Sequence, residues 1–173
     1  LPTEAEWEYA AQALIGTQWL EELQTHQRIY PWDGHAVRNP YGKQMGFMLA
    51  NFKRGRGDYA GIAGRLNDGA LITSYIYEYP PNDYGLYCMA GNVSEWTSNA
   101  YDESAYDFQH DLNPDYVYEA QEKDANVLKR KVIRGGSWKD VGYYLQTSTR
   151  TYEYQDSSKS YIGFRCVRDV IGE

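Results

Sequence analysis

The sequence lacks long apolar runs and has only two cysteines, three histidines and four phenylalanines among 173 residues. No apolar stretch approaches the roughly 20 residues that a membrane-spanning helix needs, so no such helix is predicted. Two cysteines are too few for a fold held together by disulfides. Acidic residues exceed basic ones by 24 to 17, a net charge of −7, and a nucleic-acid surface would require a basic stripe instead. We therefore expect a domain that binds no nucleic acid.

The residues present in excess are aromatic and small. The chain contains 18 tyrosines, five tryptophans and 16 glycines. Its length suits one compact domain that can bury a core without disulfides. The composition predicts a core rich in amphipathic rings, connected by many turns and loops.

The first ten residues predict an amphipathic helix with a capping box. Thr3 can accept a hydrogen bond from the Glu6 backbone, while the Glu6 carboxylate accepts one from the Thr3 backbone. The helical spacing predicts one buried face, formed by Trp7, Ala10, Ala11 and Leu14. Gly16 is a plausible end of this helix.

Regular structure is predicted in only a few other places, because glycine and asparagine interrupt most of the chain. A short helix is predicted over residues 19–23 and a strand over residues 70–79. Two short runs bounded by glycine predict core strands over residues 131–134 and 163–167.

Residues 99–126 differ in composition from the rest, since they are rich in Asp, Glu, Tyr and Asn and poor in aliphatic residues. We interpret them as a surface excursion, followed directly by the basic segment 129–131. One interpretation is a solvated loop beside a strand. The other is a docking surface, because rigid aromatic rings are enriched at interfaces. The rings concerned are Tyr101, Tyr106, Phe108, Tyr116 and Tyr118.

Four motifs occur in a fixed order along nearly the whole chain. They are residues 1–10 (LPTEAEWEYA), 30–32 (YPW), 85–96 (GLYCMAGNVSEW) and 134–138 (RGGSW), the last followed by 163–165 (GFR). Together they resemble the formylglycine-generating enzyme, or sulfatase-modifying factor, family. The resemblance implies an α+β fold related to C-type lectin domains, with little regular secondary structure, over residues 1–173. It also implies that the first segment of the family domain, and any targeting signal, lies outside these residues.

A second resemblance is to the gliding-motility lipoproteins of the type IX secretion system. It rests on residues 51–59, 82–87 and 152–156, and residues 97–118 with 129–138 are most similar to the K-type member. This resemblance implies a structural subunit of a periplasmic ring, formed with the N-type gliding protein and further copies. It also implies a lipid anchor outside this chain that holds the protein to the periplasmic face of the outer membrane.

The family's catalytic members bind copper through two cysteines that follow the RGGS motif. Here the corresponding positions hold Asp140 and, approximately, Leu145. Copper thiolate sites need soft sulfur ligands. The resemblance therefore implies a pseudoenzyme without copper, and the sequence predicts no enzymatic activity. The alternatives are a calcium-dependent, lectin-like module that binds carbohydrate or peptide, and a diverged formylglycine-generating oxidase.

No other catalytic motif stands out in the sequence. The histidines His26, His35 and His110 lack a metal-binding spacing, and Ser137 has no recognisable base partner. The sequence therefore points to no alternative chemistry at a known motif.

The resemblance implies two structural calcium sites. The ligands of the first correspond to Asn51, Phe52, Asp68 and Ala70, and those of the second to Cys88, Gly91, Val93 and Glu95. Side-chain and backbone oxygens from loops suit calcium, but sulfur is a poor ligand for it. The second site is therefore expected to be weakened by Cys88 or lost.

The remaining motif residues favour structural roles. The motif tryptophans are expected to be core rings, namely Trp7, Trp32, Trp96 and Trp138. Arg134 and Arg165 are expected to pair with carboxylates such as Glu95 or Asp140. Cys88 and Cys166 can be bonded or free. In related disulfide-bearing proteins the partner of the second cysteine lies near the position of Ala11, so the resemblance favours free, buried thiols.

Overall fold

The computed structural model describes residues 1–13, 29–32, 34–55, 70, 72–109 and 115–168. Two helices and four strands lie within them, namely α1 (Glu4–Gln12), β1 (Ser94–Ala100), α2 (Ala105–Phe108), β2 (Arg130–Arg134), β3 (Thr151–Tyr154) and β4 (Ile162–Gly163). Single-turn 3-10 helices span Gly42–Gln44, Asn126–Lys129 and Gly142–Leu145. The predicted α+β class with little regular secondary structure is confirmed.

The helix α1 begins as its sequence predicts. The Thr3 backbone donates to Glu6 Oε2 at 2.8 Å, and the Glu6 backbone donates to Thr3 Oγ1 at 3.2 Å. Trp7 and Ala11 are buried on its inner face. The helix ends at Gln12, where Ala13 adopts a φ of 53°. The predicted end at Gly16, the inward position of Leu14 and the helix over 19–23 lie outside the described residues.

The four strands form one mixed sheet in the order β3-β2-β1-β4. β1 pairs antiparallel with β2, placing Glu95 opposite Arg134, and β2 pairs antiparallel with β3. β4 pairs parallel with β1 through Ser94 and Ile162. The helix α1 packs on the sheet face that carries Glu95 and Arg134, since both side chains contact it.

Three strand predictions have different outcomes. The strand over 131–134 is confirmed as β2, and only Gly163 of the predicted 163–167 strand belongs to β4. The predicted strand over 70–79 is wrong, because the described residues 72–79 form turns and irregular backbone. There the chain is held by side-chain amides from other loops instead of by a neighbouring strand.

The described core consists of two clusters beside the sheet. One contains Trp7, Ala11 and Met89. The other contains Tyr30, Met48, Ala50, Phe52, Ala90 and Leu145, with Trp32 packed against it. Trp96 and Trp138 are only partly buried, so the expected core role is confirmed for Trp7 and is partial for the others. Within the described parts of the chain, no helix is long and apolar enough to cross a bilayer.

Candidate functional site

A partly buried ion pair, in which the carboxylate is the more deeply buried member, joins three of the sequence motifs. Arg165 donates through Nε to Glu95 Oε2 and through Nη2 to Glu95 Oε1, each at 2.6 Å. Trp7 Nε1 donates to the same Oε2 at 2.7 Å. Arg165 Nη2 also donates to the Tyr87 carbonyl at 3.1 Å. The expected pairing of Arg165 with Glu95 is confirmed, and both carboxylate oxygens are occupied by donors.

Arg134 pairs with α1 instead of with the predicted Glu95 or Asp140, so that part of the prediction is wrong. Its Nη1 donates to Glu4 Oε1 at 3.1 Å and its Nη2 donates to Glu8. Arg150 donates through Nε and Nη2 to the two oxygens of Glu4, at 2.6 and 2.9 Å. The reason is geometric, because α1 packs against β2 and brings Glu4 and Glu8 within reach of Arg134. The cluster therefore fastens α1 to the sheet.

Asp140 and Leu145 both make contacts that stabilise the fold. Asp140 Oδ2 accepts from the Ser137 backbone at 3.0 Å and from Ser137 Oγ at 2.5 Å, closing the turn after the glycine pair. Leu145 is fully buried in the second core cluster. A carboxylate and an aliphatic side chain supply no soft ligand, so these two positions do not fit a copper thiolate site.

The two cysteines are free, as expected, but only Cys88 is partly buried from solvent. Cys88 is partly buried and its thiol donates to the Ile76 carbonyl at 3.3 Å, whereas Cys166 is exposed. The expectation that both are buried is wrong for Cys166, which follows the short strand β4 at the surface. Burial raises the pKa of the Cys88 thiol; the nearby Glu95 adds to this and Arg165 opposes it.

The first expected calcium set contains an unusual oxygen atom. Asn51 is 1% exposed, and its Nδ2 donates to the Ile72 carbonyl at 2.6 Å. Its Oδ1 is buried and accepts no hydrogen bond from any described residue. Buried polar atoms are nearly always satisfied, so an orphaned oxygen indicates a missing partner. Phe52 is buried beside Asn51 and Ala70 is half-buried, while Asp68 lies outside the described residues.

The second expected set offers no comparable oxygen. Glu95 already accepts from Arg165 and Trp7, and Cys88 presents sulfur. Gly91 donates its backbone N–H to the Gly135 carbonyl at 2.9 Å, and Val93 is half-buried. Within the described ranges, no group of three or more His, Cys, Asp or Glu residues is arranged to hold a metal. The second site stays a prediction with less geometric support than the first.

The excursion over residues 99–126 is fastened to the sheet by the basic segment that follows it. Lys131 Nζ donates to the Tyr118 carbonyl at 2.9 Å, and Lys129 Nζ donates to the Glu122 carbonyl at 2.6 Å. Burial lowers the pKa of Lys131, although Glu119 partly opposes this. The two ammonium groups therefore bind carbonyl groups of the same chain, a role that the sequence does not predict.

Apolar side chains of the excursion remain at the surface. Phe108 is 42% and Val117 is 54% exposed. A cleft of about 480 Å³ is lined by Val117 together with Trp96 and Leu1. The excursion thus borders an open, partly apolar surface.

A capped helix, fastened by arginine–carboxylate pairs to a small mixed sheet, forms an α+β domain of the kind that the four motifs imply. The sequence comparison agrees. The chain belongs to the sulfatase-modifying factor enzyme 1-like domain family, whose pattern matches residues 1–170.

Named relatives cover nearly the whole chain. The formylglycine-generating enzyme of Mus musculus is 33% identical over 172 residues, which is 98% of this chain and 39% of that enzyme. The enzyme of Streptomyces coelicolor is 31% identical over 173 residues, or 98% of this chain and 46% of that protein. The inactive C-alpha-formylglycine-generating enzyme 2 of Bos taurus is 31% identical over 172 residues, or 96% of this chain and 42% of that protein. The chain thus spans less than half the length of these relatives.

These relatives overturn the prediction that the chain is not an enzyme. Proteins named formylglycine-generating enzymes match at 31 to 33% identity along almost all of it. The residues at positions 140 and 145 are therefore not sufficient to exclude an enzyme when the remaining sequence is this similar. The closer resemblance to the K-type gliding lipoprotein is not shown by these relatives.

Solved structures show the same fold. PvdO from Pseudomonas aeruginosa superposes with a TM-score of 0.58 at 23% identity, covering 95% of this chain and 50% of that one. CarF superposes with a TM-score of 0.53 at 23% identity, covering 95% of this chain and 44% of that one. At this identity the likeness concerns the fold alone.

Proposed function

We propose that this domain is a structural subunit of the type IX secretion and gliding machinery. Its partners would be the N-type gliding protein and further copies of itself, arranged in a ring. The ring would lie at the periplasmic face of the outer membrane, held by a lipid anchor outside these residues. The sequence support is the resemblance of residues 97–118 and 129–138 to the K-type member.

The observation that carries the proposal is the set of exposed apolar side chains on the described parts of the excursion. Backbone and lysine hydrogen bonds fix the described parts of it to the sheet, including the bond from the Ala100 N–H to the Tyr116 carbonyl at 2.8 Å. A surface fixed before binding loses less conformational entropy when it docks. Phe108 packs edge-to-face on Tyr116 at 5.5 Å and keeps part of its ring in solvent.

The test is co-purification of the full-length protein with its ring partner. Val117→Asp and Phe108→Ser should abolish co-purification while leaving the circular dichroism spectrum unchanged. Tyr41→Ser is the control, because Tyr41 is 79% exposed and lies outside the excursion. Point substitutions are preferable to deleting residues 101–111, because Tyr101 packs on Tyr152 at 4.8 Å and contributes to the fold. Assembly that survives both substitutions would refute the docking role of the excursion.

We also propose that calcium occupies the first site. Asn51 would supply its orphaned Oδ1, Phe52 and Ala70 their carbonyls, and Asp68 its carboxylate. Oxygen atoms from loops match the ligand preference of calcium. The ion would be structural, since it would tie the chain at Asn51 and Phe52 to the chain around Ala70.

A second candidate function is oxidation of a peptide cysteine to formylglycine, because relatives with that name match nearly the whole chain. The test is aldehyde formation and copper-dependent oxygen consumption with a cysteine-containing peptide. Product formation that disappears on copper removal would establish the activity. No product with a copper-loaded, folded full-length protein would argue against it.

A further inference from the structure

A surface loop next to the first calcium site carries several exposed apolar side chains. We define the tyrosine loop as residues 72–77. Its side chains at Ile72, Tyr75, Ile76 and Tyr77 are between 51 and 68% exposed. Tyr77 contacts Tyr75 at 5.3 Å and Tyr87 at 4.7 Å, both edge-to-face. Side chains this exposed bury little area, so polar anchors must hold the loop in place.

Two buried asparagines provide those anchors. Asn51 Nδ2 donates to the Ile72 carbonyl at 2.6 Å. Asn92 Oδ1 accepts from the Ser74 backbone at 2.8 Å, and Asn92 Nδ2 donates to the Ser74 carbonyl at 3.3 Å. The Asn92 backbone in turn donates to the Asn51 carbonyl at 2.8 Å. The loop is therefore attached through a linked pair of side chains.

The amide of Asn51 has one end on the loop and the other on the cation site. Its Nδ2 faces two acceptors, the Ile72 carbonyl and Asn92 Oδ1, so the opposite atom is the oxygen. That oxygen is the buried Oδ1 without a described donor. A cation on Oδ1 would fix the rotation of the amide and polarise its N–H groups, which strengthens the bond to Ile72.

The backbone around Asn51 cannot absorb such a change. Gly91 has a φ of +76°, and a Cβ at this position would lie 2.5 Å from the Asn51 carbonyl oxygen. The two backbones are therefore in direct contact. Because the backbone has no room to move, cation binding is expected to change the position of the Asn51 side chain and of the loop that it holds.

We propose that cation binding at Asn51 Oδ1 fixes the tyrosine loop, so that the position of residues 72–77 depends on calcium. This inference rests on the calcium site proposed above. When the cation is bound, Asn51 holds Ile72 more firmly. Asn92 holds Ser74, and thereby keeps the loop in the orientation that Asn51 favours.

The experiment combines calorimetry with hydrogen exchange of the full-length protein, with calcium and with chelator. Calcium should slow exchange of the Ser74 amide about tenfold, the change expected from strengthening one charge-assisted bond. Asn92→Gly preserves the positive φ of 69° and removes the anchor, so calcium should bind without slowing that exchange. Asn51→Asp keeps an oxygen for the ion but loses the donor to Ile72, so it should also bind calcium without protecting the loop. Tyr41→Ser should behave as wild type.

Calorimetry separates the two proposals. Calcium binding without slower exchange in the wild type would overturn the coupling and leave the calcium site intact. No calcium binding to the wild type would overturn both. Full protection in Asn92→Gly or Asn51→Asp would overturn the coupling through these side chains.

Discussion

At the scale of single residues, the charge of Glu95 is matched atom by atom. Its two oxygens accept from Arg165 and Trp7, and its side chain is only 7% exposed. Removing one member of a buried pair leaves the other charge uncompensated. Glu95 is thus expected to contribute to stability through its charge as well as its shape.

Glu95→Gln tests this charge while keeping the side-chain volume. We expect the free energy of unfolding to fall by about 3 kcal/mol, measured by urea denaturation. Glu153→Gln is the control, because Glu153 lies 4.0 Å from Lys159, whose side chain is 38% exposed, and the Gln amide can still accept from the Tyr161 hydroxyl that lies 3.2 Å from Glu153 Oε2. Exposed pairs contribute about 0 to 1 kcal/mol. Equal effects of the two substitutions would contradict the assignment.

The two thiols should differ in reactivity. Cys166 is exposed, whereas burial raises the pKa of Cys88. The thiolate is the reactive form, so a raised pKa lowers its fraction at any given pH. We expect iodoacetamide to modify the exposed Cys166 first, and the modification of Cys88 to require a higher pH than that of an unburied thiol. Mass spectrometry of the native protein measures both rates, and faster modification of Cys88 at neutral pH would contradict the prediction.

At the scale of secondary-structure elements, features that depend on residues close in sequence can be predicted. The pairing of strands and of distant side chains cannot. The capping box at Thr3 depends on residues three positions apart, so the sequence sufficed. β1 was missed because it contains few β-branched residues and buries polar ones. Thr97 Oγ1, for example, donates to the Val132 carbonyl of the neighbouring strand at 3.2 Å. The partner of Arg134 likewise depends on how α1 crosses the sheet, a relation between residues 130 positions apart.

The turn after β2 gives an element-scale prediction. Gly136 has a φ of +67° and a Cβ there would lie 2.7 Å from the Tyr144 carbonyl oxygen, so the tight turn requires glycine. Asp140 closes this turn by accepting from Ser137. Asp140→Ala should lower the free energy of unfolding by about 1 to 2 kcal/mol, because two donors lose their acceptor. Asp140→Asn, which retains an acceptor, should lose less in the same thermal or urea melt, and the reverse order would contradict this role.

At the scale of the whole molecule, the motif order identified the family and fold, whereas the catalytic inference failed. Two positions, 140 and 145, decided the prediction of no activity, and relatives named as enzymes overturned it. The calcium set illustrates a different limit. The sequence suggested Asn51, but only the structure shows that Oδ1 lacks a donor while Nδ2 holds Ile72.

Calcium removal tests how far the whole fold depends on this ion. A ligand present at ~100 times its dissociation constant adds about 2.7 kcal/mol to the folded state. For a protein of this size that corresponds to a fall in Tm of about 5 to 10 °C when chelator is added. Asn51→Ala and Asp68→Ala should each abolish most of this dependence, while Glu153→Gln should keep it. Identical melting curves with and without chelator, after metal analysis has confirmed removal, would contradict the first site. A chelator effect that persists in both site variants would place the ion elsewhere.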